Sequence, residues 1–176
     1  MRRISYAKYR ILHYIQNDHD VLIAVLHNIR SIHNVGSIFR TADAAGIKKI
    51  YLCGFTPGPV DELGKTRRPF IKVSLGAEKY MAWEKARSTV RILKKLKKDG
   101  YQIFAIEQSK NSVPYYRIKP KHKQKIALVV GHEVKGISPK ILSLVDKILE
   151  IPMRGKKESL NVAAAFGIIT FHLIHR

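Results

Sequence analysis

Three short stretches of this sequence place polar residues and glycines at spacings that could do chemistry. The first runs Asn34-Val-Gly36-Ser-Ile38-Phe-Arg40-Thr41-Ala42. As a helix it sets Val35, Ile38, Ala42 and Ala45 on one face and Ser37, Arg40, Thr41 and Ala44 on the other, so a guanidinium stands on a polar stripe. Spacing alone favours Asn34 as a helix cap and Arg40 as a solvated charge. The second stretch is Gly131-His-Glu133-Val-Lys-Gly136-Ile-Ser138, directly after an apolar run. Its glycines permit unusual backbone angles, and Glu133 reads either as a functional carboxylate or as an exposed acid in a turn. The third is Ile151-Pro152-Met153-Arg154-Gly155, followed by Ser159-Leu160-Asn161-Val162. Ser159 is a natural cap for the apolar helix predicted to follow, and an amide at Asn161 inside such a helix needs a hydrogen-bond partner.

Several chemistries are disfavoured at once. A phosphate-binding loop needs Lys and Ser/Thr directly after its second glycine, whereas Lys135 precedes Gly136 and Ile137 follows it. No G-x-G-x-x-G follows the first predicted strand, which removes support for a dinucleotide fold. The histidines are scattered and Cys53 is the only cysteine, so zinc spacing is lacking and no disulfide can form within the chain.

The elements that must position these residues alternate between short β-branched runs and helical patterns. Strands are predicted from Val21, at Lys49 to Cys53, Tyr101 to Ile106, Lys125 to Val130 and Lys147 to Ile151. Helices are predicted from Asn34 to Ala45, over a long segment from Ala77 to Lys98, after Ser138-Pro139, and from Ser159 to Ile174, with a loop from Gly54 to Pro69. The alternation implies an α/β fold with a mainly parallel sheet covered by helices on both faces. All three polar stretches then fall where strands end, the usual ligand edge of such sheets. The last helix is apolar nearly all round, which calls for burial in a subunit interface.

At 176 residues and 45% hydrophobic content the chain fits one domain. Residues 1–20, basic with Tyr6, Tyr9 and Tyr14 interleaved, are expected to form an N-terminal helical extension, leaving 21–176 as the single domain. Lysine and arginine number 33 against 13 acids, a formal charge of +20. With clusters such as Lys65/Arg67/Arg68 and Lys94 to Lys98 spread along the chain, the expected partner is a polyanion, foremost a nucleic acid. A membrane partner is disfavoured, because no run approaches the roughly 18 apolar residues of a span. No signal-peptide core is visible near the start, and the lone cysteine suits a reducing, cytoplasmic setting.

Taken together and in this order, the three stretches resemble motifs 1, 2 and 3 of the SpoU/TrmH methyltransferases, over roughly residues 21 to 174. The resemblance implies a fold whose C-terminal part forms a deep trefoil knot, a homodimer, and S-adenosylmethionine as cofactor held by Gly131, Ile151, Met153 and Leu160. It also implies that the loop Glu107-Gln108-Ser109 closes the cofactor pocket. The family's catalytic arginine matches Arg40, and its supporting polar residues match Asn34, Glu133, Ser159 and Asn161. The implied reaction is metal-free transfer of a methyl group to a ribose 2′-hydroxyl of RNA. A guanidinium with a pKa above about 12 is a poor base, so Arg40 is expected to position RNA phosphate and stabilise developing charge. His132 departs from the family pattern, standing where asparagine is most common, and Ala164 stands where several relatives have a polar residue. With no separate N-terminal RNA-binding domain expected, the basic surface of the domain itself is expected to bind RNA, which tilts the substrate toward tRNA over rRNA. A non-catalytic RNA-binding protein and a base methyltransferase of the same superfamily are the rival readings.

Overall fold

A computed structural model describes residues 21–119, 121 and 123–175. The predicted N-terminal helix therefore lies outside the described residues. The first strand, β1 (Val21–His27), is followed by α1 (Ile32–Ala44), β2 (Lys49–Cys53), α2 (Arg68–Ser74), a 3₁₀ turn at Ala77–Lys79 and β3 (Trp83–Ala86). Then come α3 (Thr89–Lys98), β4 (Gln102–Ile106), β5 (Val113–Pro114), a second 3₁₀ turn at Tyr115–Arg117, β6 (Lys125–Val130), α4 (Pro139–Leu142), β7 (Lys147–Glu150) and α5 (Val162–Ile174).

The strands form one seven-stranded sheet in the order β3-β2-β1-β6-β4-β7-β5. Every pairing is parallel. Strand β6 lies between β1 and β4, and β7 between β4 and β5, so late strands enter between earlier ones. Alternate residues of β1 feed two separate cores. Leu22, Ala24 and Leu26 pack with Phe39 of α1, Phe70 of α2 and Phe166 of α5. Ile23 and Val25 pack with Leu93 and Leu96 of α3 and Ile141 of α4 on the other face. Burial on both faces is why these strands read as continuous apolar runs. Phe39 and Phe70 meet edge to face with centroids 5.0 Å apart, and truncating Phe39 to alanine should cost about 3–5 kcal/mol.

The predicted helix from Ala77 to Lys98 is corrected. It divides into the 3₁₀ turn, strand β3 and α3, because Trp83 to Ala86 pair with Ile50 to Cys53 and sheet pairing overrides local helical pattern. Ser88 then restarts the helix, its hydroxyl accepting the N–H of Arg91 at 3.3 Å. As an edge strand, β3 presents the charged Glu84, which pairs with Lys49 at 2.7 Å. Two expected caps are also corrected. Ser31, not Asn34, caps α1, and Asn161, not Ser159, caps α5. Helix α2 and strand β5, too short to show a period, are not visible in the sequence pattern.

Candidate active site at the carboxyl edge of the sheet

The loops after β1, β6 and β7 leave the same edge of the sheet, and they carry the three motifs. After β1 the backbone turns through Asn28 in the left-handed region (φ 55°). The fully buried Thr56 holds the turn: its hydroxyl accepts the N–H of Ile29 at 3.0 Å and lies 2.8 Å from the carbonyl of Cys53, to which it donates. The next two amides, of Arg30 and Ser31, are thereby aimed across the sheet edge.

They meet Glu133. Its carboxylate accepts the N–H of Arg30 (2.9 Å) and of Ser31 (2.9 Å), and the side-chain amide of Asn34 (3.0 Å). Partial burial pushes the carboxyl up, but the amides of Arg30 and Ser31, its own N–H and Asn34 outweigh this and hold it down at about 2. The N-terminal dipole of α1 favours the same charge. Glu133 is therefore a fixed anion and not the free surface acid that its spacing also allowed.

Asn34 passes the contact onward. With its amide on Glu133, its carbonyl oxygen accepts the side-chain N–H of Asn161 at 3.0 Å. The carbonyl of Asn161 in turn accepts the N–H of Ala163 at 2.9 Å and so caps α5. The hydrogen-bond partner expected for the amide at 161 is thus found in two places, although Asn161 stands exposed at the helix start and not buried within it.

A cleft of about 510 Å³ opens beside this chain of hydrogen bonds. Gly131, Ile151, Met153 and Leu160 all line it, together with Glu133, Ser159 and Asn161. Gly131 has no room for a side chain: a Cβ there would sit 2.5 Å from Cγ1 of Ile137 and 2.7 Å from the carbonyl carbon of Gly136. Gly136 needs its left-handed φ of 63° to close the turn in which its N–H reaches the carbonyl of His132 at 2.8 Å. Glu107 and Gln108 border the cleft; Ser109 does not, and sits in a turn with Ser112. Glu107 ties two loops together by accepting the N–H of Ile137 at 2.8 Å, and Gln108 donates to the carbonyl of Glu158 at 2.8 Å. The strut role of Glu107 and the anchoring by Thr56 carried no signal in the sequence.

Arg40 is not at this cleft. It lies in a smaller hollow of about 350 Å³ between α1 and α5, with Ser37, Thr41 and Phe171, and is exposed. Ser159 is exposed at the cleft without a hydrogen bond among the described residues. One chain thus joins Asn34, Glu133 and Asn161, places Ser159 nearby and leaves Arg40 apart. Among the described residues there is no group of three or more metal-ligating side chains, and no helix is long and apolar enough to cross a membrane.

The sequence and fold match those of known proteins. Residues 21–171 match the model of the SpoU rRNA methylase family, and the chain belongs to that family. Over 150 residues it is 35% identical to the tRNA (guanosine(18)-2′-O)-methyltransferase of Aquifex aeolicus (strain VF5), covering 85% of this chain and 67% of that protein. It is 30% identical over 151 residues to a 23S rRNA (guanosine(2553)-2′-O)-methyltransferase of Bacillus subtilis (strain 168), covering 86% of this chain and 57% of that one. The crystal structure of an AdoMet-bound rRNA methyltransferase from Sinorhizobium meliloti superposes with a TM-score of 0.77 at 28% identity, over 86% of this chain and 55% of the other. The chain thus spans little more than half to two thirds of these relatives' lengths.

Proposed function

We propose that this chain transfers a methyl group from S-adenosylmethionine to a ribose 2′-hydroxyl of RNA, with tRNA as the favoured substrate. The observation that carries the reading is the hydrogen-bonded chain Glu133–Asn34–Asn161, which links all three motifs at the mouth of one cleft. The cofactor fits the residues there. Gly131 admits no side chain and so lets a ligand approach the backbone, while the carboxylates of Glu107, Glu133 and Glu150 line a cleft suited to a cation. Gly131, Ile151, Met153 and Leu160, which line the cleft, would hold it. When bound, the cofactor would supply a methyl carbon activated by sulfonium charge, with a neutral thioether as leaving group, and the proton of the ribose hydroxyl would pass to water.

The residues of the chain provide alignment. A carboxyl held near 2 is too weak a base to draw a proton from a hydroxyl, so Glu133 acts as a positioning residue that fixes Asn34 and, through it, Asn161. Asn34, Asn161 and Ser159 face the ribose. Arg40 steadies an RNA phosphate and the charge that develops.

The separation of Arg40 from the cleft favours a homodimer. Ile168 and Phe171 of α5 are 40% and 39% exposed, and Phe171 borders the hollow that holds Arg40. Packing of a second copy on this face buries that surface and offers Arg40 a cleft to serve. The insertion of β6 and β7 between earlier strands supports a C-terminal trefoil knot. We read residues 21–176 as one domain preceded by a basic extension at 1–20, acting in the cytoplasm. The 23S rRNA relative and the family's own description favour rRNA as the second reading.

The test is transfer of labelled methyl from S-adenosylmethionine to unmodified tRNA and rRNA in parallel, with digestion and identification of the methylated nucleoside by mass. A 2′-O-methylated nucleoside that disappears with Arg40→Ala supports the reading. Cofactor binding without transfer to either RNA refutes the ribose-methylation claim.

A further inference from the structure

Beside the cleft, toward β2, two rings stand at the same edge of the sheet and take no part in the hydrogen-bonded chain. Phe55 is 57% exposed, yet its backbone is tightly held. Its N–H donates to the side-chain oxygen of Asn28 at 3.3 Å, and its neighbour Thr56 is fully buried with its hydroxyl on the carbonyl of Cys53. The ring of His132 meets it edge to face, with centroids 6.0 Å apart and planes at 82°. His132 is also fixed: its Nδ1 accepts the N–H of Val134 at 3.0 Å and of Lys135 at 3.3 Å, which places the proton of the neutral ring on Nε2.

Both rings are partly exposed; that of Phe55 is wholly apolar, while His132 has one nitrogen taken up by backbone amides and presents only Nε2 as a free polar atom. His132 lines the cleft and directly precedes Glu133, while Arg30, whose N–H binds Glu133, is exposed on the adjoining loop. The segment after Phe55 carries Lys65, Arg67 and Arg68, which suit a phosphate backbone. Bases of unpaired RNA stack on Phe and His rings, and every base has a face to offer.

We infer that Phe55 and His132 form a stacking platform for a nucleobase of the RNA substrate, next to the ribose at the mouth of the cleft. The inference rests on the methyl-transfer reading only for which ribose sits there.

The variants are Phe55→Leu, Phe55→Trp and His132→Asn. Asparagine keeps an oxygen to accept the two amides that Nδ1 now takes, and removes the ring. The probes are an unmodified tRNA pool and unmodified rRNA fragments, bound by the full chain in filter assays across a salt series, using whichever binds the wild type more tightly. Phe55→Leu and His132→Asn should each weaken binding by about 5- to 100-fold, with the slope of log K against log salt unchanged because no phosphate contact is lost. Phe55→Trp should bind like the wild type. Wild-type affinity in both ring-removing variants overturns the platform, as does a salt slope that falls with the affinity, or a tryptophan variant as weak as the leucine one. Should Phe55→Leu fail to give a cooperative melt, His132→Asn decides. Methyl transfer by the wild type, measured alongside, separates the two claims. Without transfer but with ring-dependent binding, the platform stands and the enzymatic reading falls.

Discussion

Replacing Glu133 by glutamine tests the centre of the site without changing its size. The wild-type carboxylate accepts two backbone amides and the amide of Asn34, and its carboxyl lies at about 2 against an ordinary 4.5. Full conversion of that difference gives about 3 kcal/mol, since one pKa unit is worth about 1.4 kcal/mol. The side chain is only partly buried, and screening should leave about 1–2 kcal/mol. Glutamine also turns an NH₂ toward donors, which leaves at least one of them unpaired. Because the folded state lowers this pKa, its contribution is complete above 4.5 and is lost as pH falls toward 2. Urea melts of both proteins at pH 7 should differ by about 1–2 kcal/mol, and the gap should shrink by more than half at pH 3. A gap of the same size at both pH values would refute the assignment of Glu133 as a native-state anion.

Gly131→Ala places a methyl group 2.5 Å from Cγ1 of Ile137 and 2.7 Å from the carbonyl carbon of Gly136, so calorimetry should show S-adenosylmethionine binding at least about tenfold weaker, with a loss of about 1–3 kcal/mol in stability. Asn161→Asp keeps an oxygen to cap α5 but loses the donor to Asn34, whereas Asn161→Ala loses both. Melts should therefore show a loss of about 1 kcal/mol for alanine and little for aspartate, while methyl transfer falls in both. Burial pushes the Cys53 thiol up to about 11, despite the opposing hydrogen bond with Thr89 and the charge of Lys85, so iodoacetamide at pH 8 should label the unfolded chain and leave the folded one unmodified by mass.

The sheet was legible because its central strands are buried on both faces, and an apolar run as short and β-branched as Val21 to Leu26 suits a strand better than a helix. The edge was not. Trp83 to Ala86 is half exposed and charged, and without its pairing to β2 nothing in that segment opposes a helix. At the site, the motifs bring out Asn34, Glu133 and Asn161, which the structure joins by hydrogen bonds, but spacing does not say which residue caps which helix. Serines at 31 and 159 and asparagines at 34 and 161 are all competent caps, and only the tertiary bridge between the two asparagines decides among them. Arg40 was correctly set on the polar face of its helix, opposite Ile38 and Ala42, which are buried. That this face looks away from the cleft depends on where α5 packs, a fact no local spacing contains. Thr56 is fully buried, and its importance lies in the carbonyls of Leu26 and Cys53, which a sequence does not display.

Sheet order explains why residues so far apart along the chain make one site. The contact between Asn34 and Glu133 spans 99 positions and that between Asn34 and Asn161 spans 127. Because β6 pairs directly with β1 and both run parallel, the loops that follow them emerge side by side, and Glu133 arrives where the first amides of α1 are short of acceptors. Strand β7, also parallel and two places away from β6, sends its loop to the same edge before α5 begins at Asn161. Reversing any one of the three strands would send its loop to the opposite edge and break the chain of contacts. The three motifs are therefore conditions on a single geometry. The glycine at 131 lets the second loop turn tightly, the acid at 133 satisfies the first loop's amides, and the asparagines at 34 and 161 fasten the third loop to both.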